Sequence, residues 1–81
     1  MKETPIAVES YSGYKADEYP LSFYWKNKKF EIEEISDRWI QSDLTADWLV
    51  INYYKVRTTT DMECILKHDI EIDQWYLVKI F

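Results

Sequence analysis

The sequence predicts an all-β fold of about six short antiparallel strands in a meander, rolled into a small barrel or a strongly curved sheet. Three features of the chain lead there. Apolar and polar residues alternate with a period of two in several short stretches, the pattern of a half-buried strand. Turn-forming segments separate those stretches at short intervals. Aromatic residues make up 17% of the chain, and rings and β-branched side chains suit a pleated surface.

The longest such stretch is Asp47-Trp48-Leu49-Val50-Ile51-Asn52-Tyr53-Tyr54-Lys55-Val56-Arg57, and the others are expected to pair around it. Both of its faces are apolar at the start and only one later, so it should be covered on two sides early and half exposed afterwards. Residues 1–5 read as a frayed end of a single domain spanning 1–81. Ile6 to Tyr11 alternates as a first strand, and Ser12 to Pro20 is a loop holding the only glycine.

Leu21, Phe23 and Trp25 share one face of the next strand. Lys26-Asn27-Lys28-Lys29 then turns the chain into Phe30-Glu31-Ile32-Glu33, a hairpin in which Asn27 takes the positive φ usual for glycine. After Ile32 the apolar phase slips to Ile35 and Trp39. A bulge near Glu33-Glu34 restores one face; a helix over Glu33–Ser42 is the rival reading, and the strand is the better of the two. Ser42–Asp47 is a polar connection. Thr58–Asp61 is a turn, Met62–His68 a strand with Met62, Cys64 and Leu66 on one side, Asp69–Asp73 a second turn, and Gln74–Phe81 a closing strand that must be docked.

Size and charge narrow the function classes. Eighty-one residues form one core, and the large rings compensate for its small volume. The net charge is −5, with the acidic excess spread along the chain, which disfavours non-specific phosphate binding. The single cysteine, Cys64, cannot form an internal disulfide and fits a reducing compartment. No signal-type segment or long apolar run is present, so the expectation is a cytoplasmic protein with no membrane contact.

The quoted hydrophobic positions also carry a resemblance. Pro5-Ile6-Ala7-Val8, Trp25-Lys26-Asn27-Lys28-Lys29-Phe30-Glu31-Ile32, Tyr53-Tyr54-Lys55-Val56-Arg57-Thr58 and Trp75-Tyr76-Leu77 resemble an uncharacterised family of small bacterial, mostly β domains. Its members read P-I-x-V, W-R-G-R-x-Y-x-V, Y-Y-R-V-R-T and W-F-L at these places. Two turns depart from the pattern, with Asn27 and Thr60-Asp61 standing where the family has glycine-containing turns. The resemblance implies a soluble bacterial β protein, some of whose relatives accompany lesion-bypass DNA polymerases; it carries over no catalytic residue.

Chemistry has few footholds. Asp69, Glu71 and Asp73 would point the same way if extended, as weak candidates for Mg²⁺ or Ca²⁺, but the segment lacks the glycine and distal glutamate of a calcium loop. A solvated turn explains the same carboxylates. His68 could act as a base, but no partner is recognisable from spacing, and an exposed or strand-edge side chain explains it as well. Cys64 reads as a buried apolar filler. One histidine and one cysteine do not make the common zinc sets, no nucleophile elbow surrounds any serine, and no cofactor is expected. A metal-dependent enzyme or ligand binder is the weakest reading.

Binding has more to work with. Lys55 and Arg57 share a face, Lys67 falls on the neighbouring strand, and Tyr53 would join them as an aromatic platform for single-stranded nucleic acid. The net charge opposes this, and cross-strand ion pairs explain the same residues. Fourteen rings exceed what one small core encloses, so some must surface, and exposed rings mark interfaces. Tyr11, Tyr14, Tyr19, Tyr24 and Tyr76 are the candidates. The leading expectation is therefore a small non-catalytic interaction module that binds another protein or itself, with tyrosines at core edges as the plainer alternative.

Overall fold

The structure, a computed structural model, describes residues 3–12, 18–43 and 46–81. Six antiparallel strands close into a barrel in chain order: β1 (Thr4–Ser12), β2 (Glu18–Trp25), β3 (Lys28–Asp43), β4 (Ala46–Thr58), β5 (Glu63–Asp69) and β6 (Gln74–Ile80). Closure comes from β1 pairing with β6 through Thr4↔Leu77, Pro5↔Tyr76 and Ile6↔Trp75. The strand thus begins inside the segment expected to fray, because Thr4 and Pro5 complete the ladder that shuts the barrel. Glu33–Ser42 is strand rather than helix, the whole of it lying within β3. No helix among the described residues is long and apolar enough to cross a membrane.

The alternation seen in the sequence resolves into an inside and an outside. Tyr54, Val56 and Thr58 of β4, Cys64, Leu66 and His68 of β5, and Trp75 and Leu77 of β6 point inward and are buried. Ile6 and Phe23 complete the same cluster, with Val8, Trp25, Phe30, Ile32, Ile35 and Met62 packed against it. Each fully buried large apolar side chain contributes roughly 1.5–3 kcal/mol, so this cluster is what offsets the conformational entropy lost in ordering so short a chain. The side chains of Trp48, Leu49 and Val50, expected to be covered on both faces, lie outside those described, as do Tyr14 and most of the first loop.

Bulges set the details that alternation alone misplaces. Between β1 and β2 the register passes from Glu9↔Ser22 to Ser10↔Pro20; Leu21 is the extra residue and turns outward, so it does not share a face with buried Phe23. In β3 the register shift between Ile32 and Glu34 leaves Glu33 extra and brings Ile32 and Ile35 to one side, as the phase slip required. A second shift between Ile35 and Asp37 then reverses the phase again. Trp39 consequently faces outward, opposite Tyr53, and does not follow Ile35 into the core. Ile40 falls on the inner side but 65% exposed, because β3 there has only β4 beside it.

The turns obey local chemistry. The β2–β3 hairpin has the two-residue turn Lys26-Asn27, with φ of 53° and 62°, the left-handed pair of a type I′ turn whose twist matches the strands. At the β4–β5 turn Thr58 is fully buried. Its Oγ1 accepts from the backbone N–H of Thr60 at 3.3 Å and of Met62 at 3.2 Å, and lies 2.8 Å from the Thr60 hydroxyl. Asp61 takes the positive φ, 63°, that closes this turn, a conformation short polar residues tolerate.

Candidate binding face

The outer surface of β3 to β6 is organised by its rungs. Trp39 stands opposite Tyr53, Tyr53 opposite Lys67, and Lys67 opposite Tyr76, giving one unbroken row across four strands. Direct cross-strand neighbours sit about 4.5–5.5 Å apart at Cβ, close enough for these side chains to touch. The Trp39 and Tyr53 rings stack, centroids 5.4 Å apart and planes 2° from parallel. The Lys67 ammonium lies 5.0 Å from the centre of the Tyr76 ring and 2.6 Å from Glu3 Oε1. Desolvation pulls the Lys67 pKa down, but the bond to Glu3, its charge, and the fields of Tyr53 and Tyr76 outweigh that and leave it above its ordinary value.

A second rung level carries Asp37, Lys55, Ile65 and Lys79. Lys55 and Lys79 both lie over Phe81, at 5.0 Å and 4.9 Å from its ring centre, and the Phe81 N–H donates to the Glu63 carbonyl at 2.9 Å. At a third level Arg57 faces Glu34 and Glu63 across the ladder. Its guanidinium lies 3.9 Å from Glu33, 3.7 Å from Glu34 and 3.8 Å from Asp61. These are long, exposed pairs of small individual worth, but together they neutralise the arginine.

The structure therefore brings Tyr53, Lys55, Arg57, Lys67 and Tyr76 onto one face. It is not a basic stripe. Glu3, Glu33, Glu34, Asp37, Asp61 and Glu63 all lie beside these cations. Lysine ammonium groups lie over Tyr76 and Phe81, so a nucleobase would have to displace them in order to stack on those faces. Of the other tyrosines, Tyr11 and Tyr24 are exposed and Tyr19 is half-buried against Tyr11, centroids 5.3 Å apart.

The remaining candidates sit elsewhere. Ile70–Asp73 is a turn, so Asp69, Glu71 and Asp73 do not project together as an extended strand would have them. Asp69 Oδ1 accepts from the Glu71 N–H at 3.2 Å, and Asp73 bonds His68 instead. No group of three metal-binding side chains occurs among the described residues. His68, expected at an exposed edge, is 1% exposed: it stacks on Trp75, centroids 4.1 Å apart and planes 5° from parallel, with Nε2 3.0 Å from Asp73 Oδ1. The pair has the reach of an acid–base dyad, but its imidazole is enclosed, and a general base must reach its substrate. Cys64 is buried, and desolvation pushes its thiol up to about 12, the opposite of an activated nucleophile.

Fold and face together define a class: a small closed β-barrel whose outer sheet surface interleaves rings with neutralised cations. No protein-family model matches the chain, and searches of curated proteins and of solved structures likewise find no match. Alternation along β4 pointed to Tyr53, Lys55 and Arg57. It could not find Trp39, whose side depends on the second bulge, nor Glu3, sixty-four residues from its partner Lys67.

Proposed function

We propose that this protein is a non-catalytic binding module whose contact surface is the outer face of β3–β6 and whose partner is another protein. The observation that carries this reading is the in-register row Trp39, Tyr53, Lys67 and Tyr76. Rings ordered by stacking and by overlying lysines supply the aromatic surface enriched at interface centres, the charges around them are locally balanced and suit a polar rim, and preordered rings lose little entropy on association. Tyr11, Tyr24 and Phe81 supply further exposed ring surface.

Single-stranded nucleic acid is the competing ligand for such rings. The carboxylates among the cations weigh against it, since affinity for phosphates depends on counterion release from unneutralised contacts. The test is a Tyr53→Ala, Tyr76→Ala double variant with normal thermal unfolding, compared with the parent in light scattering, in quantitative pull-down and in binding to a labelled oligonucleotide. Loss of self-association or of a defined protein partner in the variant supports the reading. Salt-sensitive oligonucleotide binding that the double variant loses would transfer the face to nucleic acid.

A further inference from the structure

The barrel wall is not zipped along its whole length. The β1–β6 ladder ends at Ile6↔Trp75, whereas β1 runs on to Ser12 paired only to β2. In the seam beyond Ile6 lies a cleft of about 500 Å³ bordered by Ile6, Val8, Ser10, Asp73, Gln74 and Trp75, within the size range of ligand-binding clefts, about 300–1,000 Å³.

Three properties of this cleft specify an occupant. Its lining is mostly polar, with a small apolar patch where the core residues Ile6 and Trp75 and half-buried Val8 reach its floor. Its β1 wall is main chain with a defined direction. The Ile6 carbonyl points toward β6, where the Gln74 amide donates to it at 3.4 Å while also donating to the Trp75 carbonyl at 2.8 Å. A residue's N–H and C=O share one side of a strand, and alternate residues share that side. Val8, two residues on, therefore turns its own N–H and C=O into the seam that β6 has left. Finally, among the described residues the charged side chain on the rim is Asp73, whose carboxylate is 83% exposed although one oxygen holds His68. Among the described residues no cation borders the cleft.

We infer that this seam is a strand-addition site for an extended peptide carrying a basic side chain. The peptide continues the β1 ladder where β6 stops, exchanging main-chain hydrogen bonds with Val8. It lays an apolar side chain on Ile6 and Trp75 and sets a lysine or arginine against Asp73. Main-chain pairing supplies affinity and alternate side chains supply specificity in this mode of recognition. The site uses none of the outer-face rings and stands independently of the function proposed for them.

The probe is a blocked pentapeptide alternating valine and lysine, added at millimolar concentration to the ¹⁵N-labelled full chain and followed by amide shifts. The expected result is saturable shifts at Val8, Gln74 and Trp75. Affinity should fall about fivefold in Asp73→Asn, the loss expected for an exposed ion pair, and by more when glutamate replaces lysine in the peptide. Asparagine tolerates the φ of 50° at position 73 and keeps an Oδ1 that can accept from His68 Nε2, so with thermal unfolding shown to match the parent the variant tests the charge. Val8→Pro removes the seam-facing N–H without touching the β2 ladder and should abolish binding. Absence of shifts in the seam, or equal binding of the lysine and glutamate peptides, overturns the inference. The Tyr53→Ala, Tyr76→Ala variant should bind the peptide as the parent does.

Discussion

His68 lies flat against Trp75 across a β5–β6 rung, ring centroids 4.1 Å apart and planes 5° from parallel, with its Nε2 held by Asp73 at the turn between the two strands. One side of the indole packs on Tyr54, 5.5 Å away, so the histidine extends a buried stack of rings. A double-mutant cycle of His68→Ala and Trp75→Leu, read by denaturant unfolding, should return a coupling of about 0.5–1.5 kcal/mol beyond the separate losses. Additive losses would mean the two rings are neighbours without interaction.

Trp25 is the instructive contrast. Alternation assigns it to the core, but it is half-buried, tilted against Phe30 at 6.1 Å and topped by the Lys26 ammonium at 4.7 Å. Trp25→Ala should therefore cost about half of the 3–5 kcal/mol typical of a fully buried indole and leave the domain folded. A thermal scan in which this variant has no cooperative transition would place the indole deeper than the structure has it.

The same contrast shows what local pattern can reveal. Strand identity was legible because a period of two survives in each stretch, and the bulge at Glu33 was legible because Ile32 and Ile35 fall out of phase. The shift after Ile35 left no such mark, since Ser36, Asp37 and Arg38 are all polar; Trp39 therefore changed sides unannounced. Leu21 was misplaced because it is itself the extra residue of a β2 bulge, which shows only in the register with β1 and leaves the local alternation with Phe23 looking regular. Tyr53, Lys55 and Arg57 could be grouped from one strand, whereas the burial of His68 depends on Trp75 and Asp73 meeting it across a hairpin.

Cys64 gives a prediction at alkaline pH. Burial raises its pKa from 9.0 to about 12, so between these values the unfolded chain loses the proton while the folded one keeps it. Below pH 9.0 both forms are protonated and Cys64 adds no slope. Above it, stability falls with rising pH, by up to about tenfold in the folding equilibrium per pH unit. Cys64→Val should remove this component, seen as a shallower loss of stability than the parent over the same range. Identical profiles would show that the thiol is not shielded.

Thr58 holds the β4–β5 turn through one buried hydroxyl that accepts from two backbone N–H groups. Thr58→Val keeps the shape and leaves both donors without that acceptor. Both donors are only partly buried, so the cost should be about 1 kcal/mol or less, at or below the low end of the roughly 1–3 kcal/mol of a stranded buried donor. The melting temperature should drop and amide exchange at Thr60 and Met62 should quicken. Unchanged exchange at those two amides would mean that the Thr58 N–H to Met62 carbonyl bond, 2.9 Å, closes the turn by itself.

The β2–β3 hairpin offers a gain in stability. Lys26 and Asn27 both occupy left-handed φ, a region where a residue with a long side chain is strained and glycine is not. The pairing that a type I′ turn favours is Asn-Gly. Lys26→Asn with Asn27→Gly relieves both positions but gives up the Lys26 contact with Trp25, worth about 0.5–1 kcal/mol at an exposed site. Relief of left-handed strain, about 1–2 kcal/mol per non-glycine residue, exceeds that loss even after glycine's greater freedom in the unfolded chain is counted. The double variant should therefore be more stable by about 1 kcal/mol in urea unfolding, with an unchanged denaturant slope. A decrease would show that the cation over the indole, and not the turn backbone, holds this hairpin together.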